Sequence, residues 1–158
     1  MSNQSYTTTF LVDRTPEEAF AAITNVRGWW SGEIEGSTDK LGDEFTYRYK
    51  DVHYSKQKLV EVVAGRKVVW LILDAWLSFT EDKSEWNGTR VIFEVSKHGD
   101  KTEVRFTHEG LVPHFECFDK CSNAWGFYIN TSLRSLITTG RGNPNPQEQS
   151  TKTQREVG

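Results

Sequence analysis

The chain is short of nearly everything that announces a chemistry. Only two cysteines, Cys117 and Cys121, occur in 158 residues, too few for a disulfide framework, and in a reducing compartment they would be thiols. No apolar run approaches the ~20 residues a membrane span requires, and no signal-type stretch follows Met1, so a cytoplasmic protein is expected. Positive charge is not in excess: 19 Lys and Arg against 22 Asp and Glu leave a net charge of −3. The basic residues alternate with acids along the strands, which argues against nucleic acid and against an anionic membrane as partners. Phosphate loop, dinucleotide fingerprint, nucleophile elbow and metalloprotease helix are all missing, so no cofactor is called for.

What the chain does have is aromatic side chains, at 13% with six tryptophans. Aromatics fill cores first, and a surplus lines an apolar cavity. The length suits one domain able to hold a core and a small pocket. That domain is expected over residues 1–142, with the unperiodic stretch 143–158 as a disordered tail.

Period-two alternation predicts strands over Tyr6 to Val12, Phe45 to Tyr49, about Tyr54 to Val63, Lys67 to Leu77, around Val91 to Val95, and through Val104, Phe106 and His108. Turns at Ala64-Gly65, Asn87-Gly88 and Gly99-Asp100 join them as hairpins. Thr15-Pro16-Glu17-Glu18 is a capping box for a helix carrying Ala19, Phe20 and Ile23. A second short helix is predicted from Asn25 to Trp30, where adjacent rings at Trp29 and Trp30 could not both face inward. On Lys67 to Leu77, Val68, Trp70, Ile72 and Trp76 are expected to share one face. Phe79 to Glu85 reads as loop, and a long helix is predicted from Phe115 to Thr139, ended by Gly140. The expected fold class is α+β: a curved antiparallel sheet of six to seven strands gripping the long C-terminal helix, with two short helices after the first strand.

Several stretches carry a family resemblance: Thr15-Pro16-Glu17-Glu18-Ala19-Phe20 with Trp30 downstream, Gly88-Thr89-Arg90-Val91, Lys101-Thr102-Glu103-Val104, Thr107-His108-Glu109-Gly110-Leu111, and Trp125 with Ser132-Leu133. Over residues 5 to 140 the chain resembles the helix-grip superfamily of START lipid-transfer domains, birch-pollen-type allergens and polyketide cyclases. Within it, the chain looks like the group related to the activator of the ninety-kilodalton heat-shock protein's ATPase. The resemblance implies an apolar cavity between sheet and helix, with ligands that differ from member to member. It does not imply chaperone activation, which in that activator needs a second domain.

The expected function is thus binding of a small hydrophobic or lipid-like ligand, entering past the Trp29-Trp30 helix and the Phe79 to Glu85 loop. Trp30, Tyr47, Tyr49, Trp70, Phe93, Phe106, His108, Trp125, Tyr128 and Ile129 are the candidate lining residues. Each has a competing reading as core, and for the tyrosines as an amphipathic strand. His108 is the one candidate for acid–base chemistry, since its parity matches Val104 and Phe106, against the plainer reading of a hydrogen-bonded strand-end histidine. A cyclase or hydrolase using His108 with a tyrosine is the alternative function, and a protein-interaction module with a chaperone partner is the third. A homodimer through an edge strand such as Tyr6 to Val12 stays open. His114, Cys117 and Cys121 share a helical face, but the spacing is not that of a zinc finger and no metal is expected.

Overall fold

The computed structural model describes residues 5–30, 33–50, 53–78, 81, 86–112, 116 and 118–142. Strand β1 (Tyr6–Val12) leads into helix α1 (Pro16–Thr24) and a 3-10 turn over Val26–Gly28. Six strands follow in succession: β2 (Glu33–Gly36), β3 (Glu44–Tyr49), β4 (His53–Val63), β5 (Lys67–Leu77), β6 (Arg90–His98) and β7 (Lys101–Glu109). The last helix has three parts: α2 (Phe118–Phe127), a π-helical stretch (Tyr128–Leu133) and α3 (Arg134–Thr139). The order across the sheet is β1-β7-β6-β5-β4-β3-β2, and every neighbouring pair is antiparallel. β2 to β7 therefore form a meander, and β1 returns to lie beside β7.

The local chemistry accounts for these boundaries. Thr15 and Glu18 form the capping box, Thr15 Oγ1 accepting from the Glu18 N–H at 3.1 Å and Glu18 Oε1 from the Thr15 N–H at 2.9 Å. Together they satisfy two donors that a helix start leaves without partners. Gly140, at φ 85°, ends α3 in the left-handed conformation and donates to the Leu136 carbonyl at 3.0 Å. The expected α+β class, hairpins and C-terminal helix are all present.

Four details differ from expectation. The stretch from Asn25 to Trp30 forms only the 3-10 turn, and Trp29, at φ −134° and ψ −25°, has already left it. The 100° divergence of adjacent helical residues no longer applies, and both rings are buried and stacked, centroids 6.2 Å apart. On β5, Gln57 faces Ile72 and Lys56 faces Asp74, so Leu73 is an extra residue that reverses the strand's parity. Ala75 and Leu77 consequently turn inward and Trp76 outward, 42% exposed. Val60 is a matching extra residue on β4, and such bulges bend and twist strands in the way a sheet needs to wrap a helix. β2 had no sequence signal, because Glu33-Ile34-Glu35-Gly36 is a short edge strand with one apolar residue. Lastly, the final helix is described only from Phe118, and it carries the π-helical stretch.

Candidate functional site

His108, Thr89, Trp86 and Trp125 form one buried hydrogen-bonded chain. The Trp125 indole N–H donates to His108 Nδ1 at 3.1 Å, so Nδ1 must be unprotonated and Nε2 carries the proton. Nε2 then donates to Thr89 Oγ1 at 2.8 Å, and the Thr89 hydroxyl donates to the Trp86 carbonyl at 2.6 Å. Every donor in this chain has one acceptor, which is what a neutral imidazole requires. Burial, with His53 nearby, pushes the His108 pKa down to about 3.

Gly110 closes the same corner. It sits at φ 102°, and a Cβ there would lie 2.7 Å from Thr89 Cγ2, so only glycine fits both the backbone and the space. The stretches Gly88-Thr89, Thr107 to Leu111 and Trp125, far apart in sequence, thus meet in one polar knot. It is an architectural knot: neither imidazole nitrogen is available, and at neutral pH the ring is uncharged. As an acid–base group with a tyrosine, His108 lacks support in this geometry.

Around the knot the candidate aromatics pack ring on ring. Trp30 stacks on Tyr47 at 3.9 Å and 7°, and on Trp125 at 5.2 Å. Trp125 also meets Phe106 at 4.6 Å and Trp86 at 5.8 Å, while Trp70 meets Phe93 at 5.1 Å. Trp30, Tyr47, Trp70, Phe93, Phe106, His108, Trp125 and Ile129 are all buried; Tyr49 and Tyr128 are half-buried. The structure therefore brings eight of the ten predicted residues into one interior wall and leaves two at its margin.

Beside that wall runs a feature that sequence reading missed. His53, Ser55, Gln57 and Leu59 alternate along the inward face of β4, opposite Tyr49, Tyr47 and Phe45 of β3 on one side and Leu77, Ala75, Ile72 and Trp70 of β5 on the other. Ser55 and Gln57 are fully buried. His53 is half-buried as a residue, yet its ring abuts Trp86 edge-on at 4.6 Å and Tyr47 at 4.9 Å. Burial holds its pKa down at about 3. His53 Nε2, Ser55 Oγ, Gln57 Oε1 and Trp86 Nε1 are buried atoms without a hydrogen-bond partner among the described residues. The Gln57 amide nitrogen reaches the Phe45 carbonyl at 3.4 Å, which leaves its oxygen as the unmatched group.

Alternating small polar residues normally mark a solvated face, which is why this row was not foreseen. Its parity with Leu59 was the one available signal. No group of three or more potential metal ligands occurs among the described residues; His114 and Cys117 lie outside them, and Cys121 is buried. Most of Phe79 to Glu85 lies outside as well, so the expected entry route is not described. No helix among the described residues is long and apolar enough to cross a membrane. A separate groove of about 450 Å³, lined by Arg66, Lys67, Glu94, Glu103 and Arg105 among others, is of mixed charge.

A family model described as Activator of Hsp90 ATPase homolog 1-like protein matches residues 13–138. Among solved structures, the chain is similar to the Aha1 dimer from Colwellia psychrerythraea, at 21% identity and TM-score 0.70 over 88% of this chain and 99% of that one. It is also similar to CalU16 from Micromonospora echinospora, at 13% identity and TM-score 0.59 over 97% and 83%. A Bacillus halodurans protein shares 12% identity and TM-score 0.62 over 87% and 99%. At these identities the structural likenesses speak to fold alone. No curated protein matches the sequence. The family match covers most of the chain and agrees with the seven-stranded sheet and its long helix, and the chain belongs to the Activator of Hsp90 ATPase homolog 1-like family.

Proposed function

We propose that the chain binds a small, mostly apolar molecule between the inward face of its sheet and the C-terminal helix, in the cytoplasm. The observation that carries this reading is the cluster of four unmatched polar atoms on and beside β4. Each buried polar group without a partner costs about 1–3 kcal/mol, so four would cost roughly 4–12 kcal/mol against a typical net stability of about 5–15 kcal/mol. A fold carries such a cost where something else completes the hydrogen bonds, a ligand or enclosed water. The stacked rings of Trp30, Tyr47, Trp86 and Trp125 supply the apolar wall against which a ligand body would lie. His108 supports that wall and makes no contact with the ligand. Native mass spectrometry of the freshly purified protein tests the reading. A retained small molecule, released on unfolding, is expected; bare protein that also takes up no added apolar molecule would reject it.

A protein-interaction role, of the kind that the family's name describes, rests on a different observation. Trp76 and Leu73 are 42% and 39% exposed on the outward side of β5, and Trp76 lies opposite Tyr54, which Arg48 covers at 5.1 Å. Retention of an Hsp90-type chaperone in a pull-down, lost in Trp76→Glu, is the outcome that this role requires.

A further inference from the structure

We infer that the β4 row selects an uncharged ligand, one that carries at least one hydrogen-bond acceptor and one donor on an otherwise apolar body. This rests on the binding reading above and narrows it to a chemical class. The row offers Trp86 Nε1–H as a pure donor, Gln57 Oε1 as a pure acceptor, and Ser55 Oγ as either. Register places Ser55 next to Gln57 on one strand face, two residues and roughly 7 Å apart. A hydroxyl, or an amide that keeps an N–H, can satisfy this set. A carboxylate, phosphate or ammonium cannot, because no charged side chain is buried among the described residues to neutralise it. Among the described residues the buried polar ones are Thr38, Ser55, Gln57, Thr89, Thr102, His108 and Ser132, with no Lys, Arg, Asp or Glu. The two nearby imidazoles are themselves kept neutral by burial. A charged group moved from water into such surroundings without a counter-charge is strongly disfavoured. Fatty acids and phospholipids are thereby disfavoured, and ring compounds bearing a hydroxyl or an N–H amide fit.

The experiment compares three probes of the same shape by calorimetry at pH 7 with the whole chain: naphthalene, 2-naphthol and 2-naphthoate. The expected order places 2-naphthol at least about tenfold tighter than either of the others. The double variant Ser55→Ala with Gln57→Leu should bring 2-naphthol to the level of naphthalene. It should also raise the melting temperature, because it removes two unmatched polar atoms from the interior, the second by a near-isosteric change. Naphthoate binding as tightly as naphthol would overturn the inference and leave the binding reading standing. Naphthol binding unchanged in the double variant would overturn it too, since the row would then not read the ligand, as would a lowered melting temperature. Binding of none of the three would remove both.

Discussion

His108 is the residue at which catalysis and architecture compete, and its two hydrogen bonds decide for architecture. Trp125 donates to one nitrogen and Thr89 takes the proton of the other, so protonation would set a second N–H against that of Trp125 and break the chain at Nδ1. The pH consequence follows. In the unfolded chain an imidazole protonates near pH 6.5, whereas His53 and His108 resist to about 3 in the fold. Between those values the unfolded state binds more protons. Stability should therefore be flat above about pH 6.5 and fall as pH is lowered, by up to ~1.4 kcal/mol per pH unit for each histidine. Urea denaturation between pH 7 and 5, above the main carboxylate range, reads this directly. His108→Gln can still donate and accept, and should roughly halve the slope. His108→Leu should halve it as well and also cost about 1–3 kcal/mol at pH 7, from the unpaired Trp125 N–H. A slope unchanged in both variants would mean that His108 is already charged in the fold.

At the scale of elements, the C-terminal helix is held at named points. The Ser132 hydroxyl donates to the Trp29 carbonyl at 2.8 Å, and the Asn130 amide donates to Thr8 on β1 at 3.1 Å. Both anchors lie in the π-helical stretch, whose wider turn brings Ile129, Ser132 and Leu133 to the buried side. π-helical turns recur where a helix has been fitted to a functional surface. Ser132→Ala should cost about 1–3 kcal/mol, because a buried carbonyl loses its partner. It should loosen Trp29 and Trp30 first, visible as a tryptophan fluorescence change that precedes global unfolding. A purely global loss with no such early change would mean that the anchor does not position the pair.

How far sequence alone could go is clearest in these elements. Strands, hairpin turns, the Thr15 capping box and the Gly140 stop each obey a local rule, so each was legible. The inward parity of Val104, Phe106 and His108 was legible for the same reason, since a strand has period two. The reversal at Leu73 was not, because a bulge is set by pairing with β4 and leaves no mark in β5 itself; Trp76 was misplaced as a result. The β2 strand and the stacking of Trp29 on Trp30 likewise depend on neighbours distant in sequence. Ser55 and Gln57 were hidden by the reverse problem: their residue types suit a solvated face, and only the sheet's register turns them inward.

At the scale of the whole molecule, two kinds of interior polarity stand side by side. The His108 knot is complete and closed. The β4 row is incomplete, and its unmatched atoms lie next to the stacked wall that the aromatic surplus builds. A protein that needed only a core would have placed apolar residues at Ser55 and Gln57, as it did at Leu59. Family membership settles the frame, a meander sheet around a helix, and leaves what occupies it to residues such as these.

The most direct measurement is a ¹H–¹⁵N spectrum of the six tryptophan indole N–H groups during titration with 2-naphthol. Trp86 is a buried indole without a partner among the described residues, Trp125 is already bonded to His108, and Trp76 faces outward. Enclosure at the β4 row predicts a saturable shift of the Trp86 signal while Trp76 stays in place. A saturable shift of Trp76 with Trp86 unmoved would put binding on the outer face and contradict the proposal.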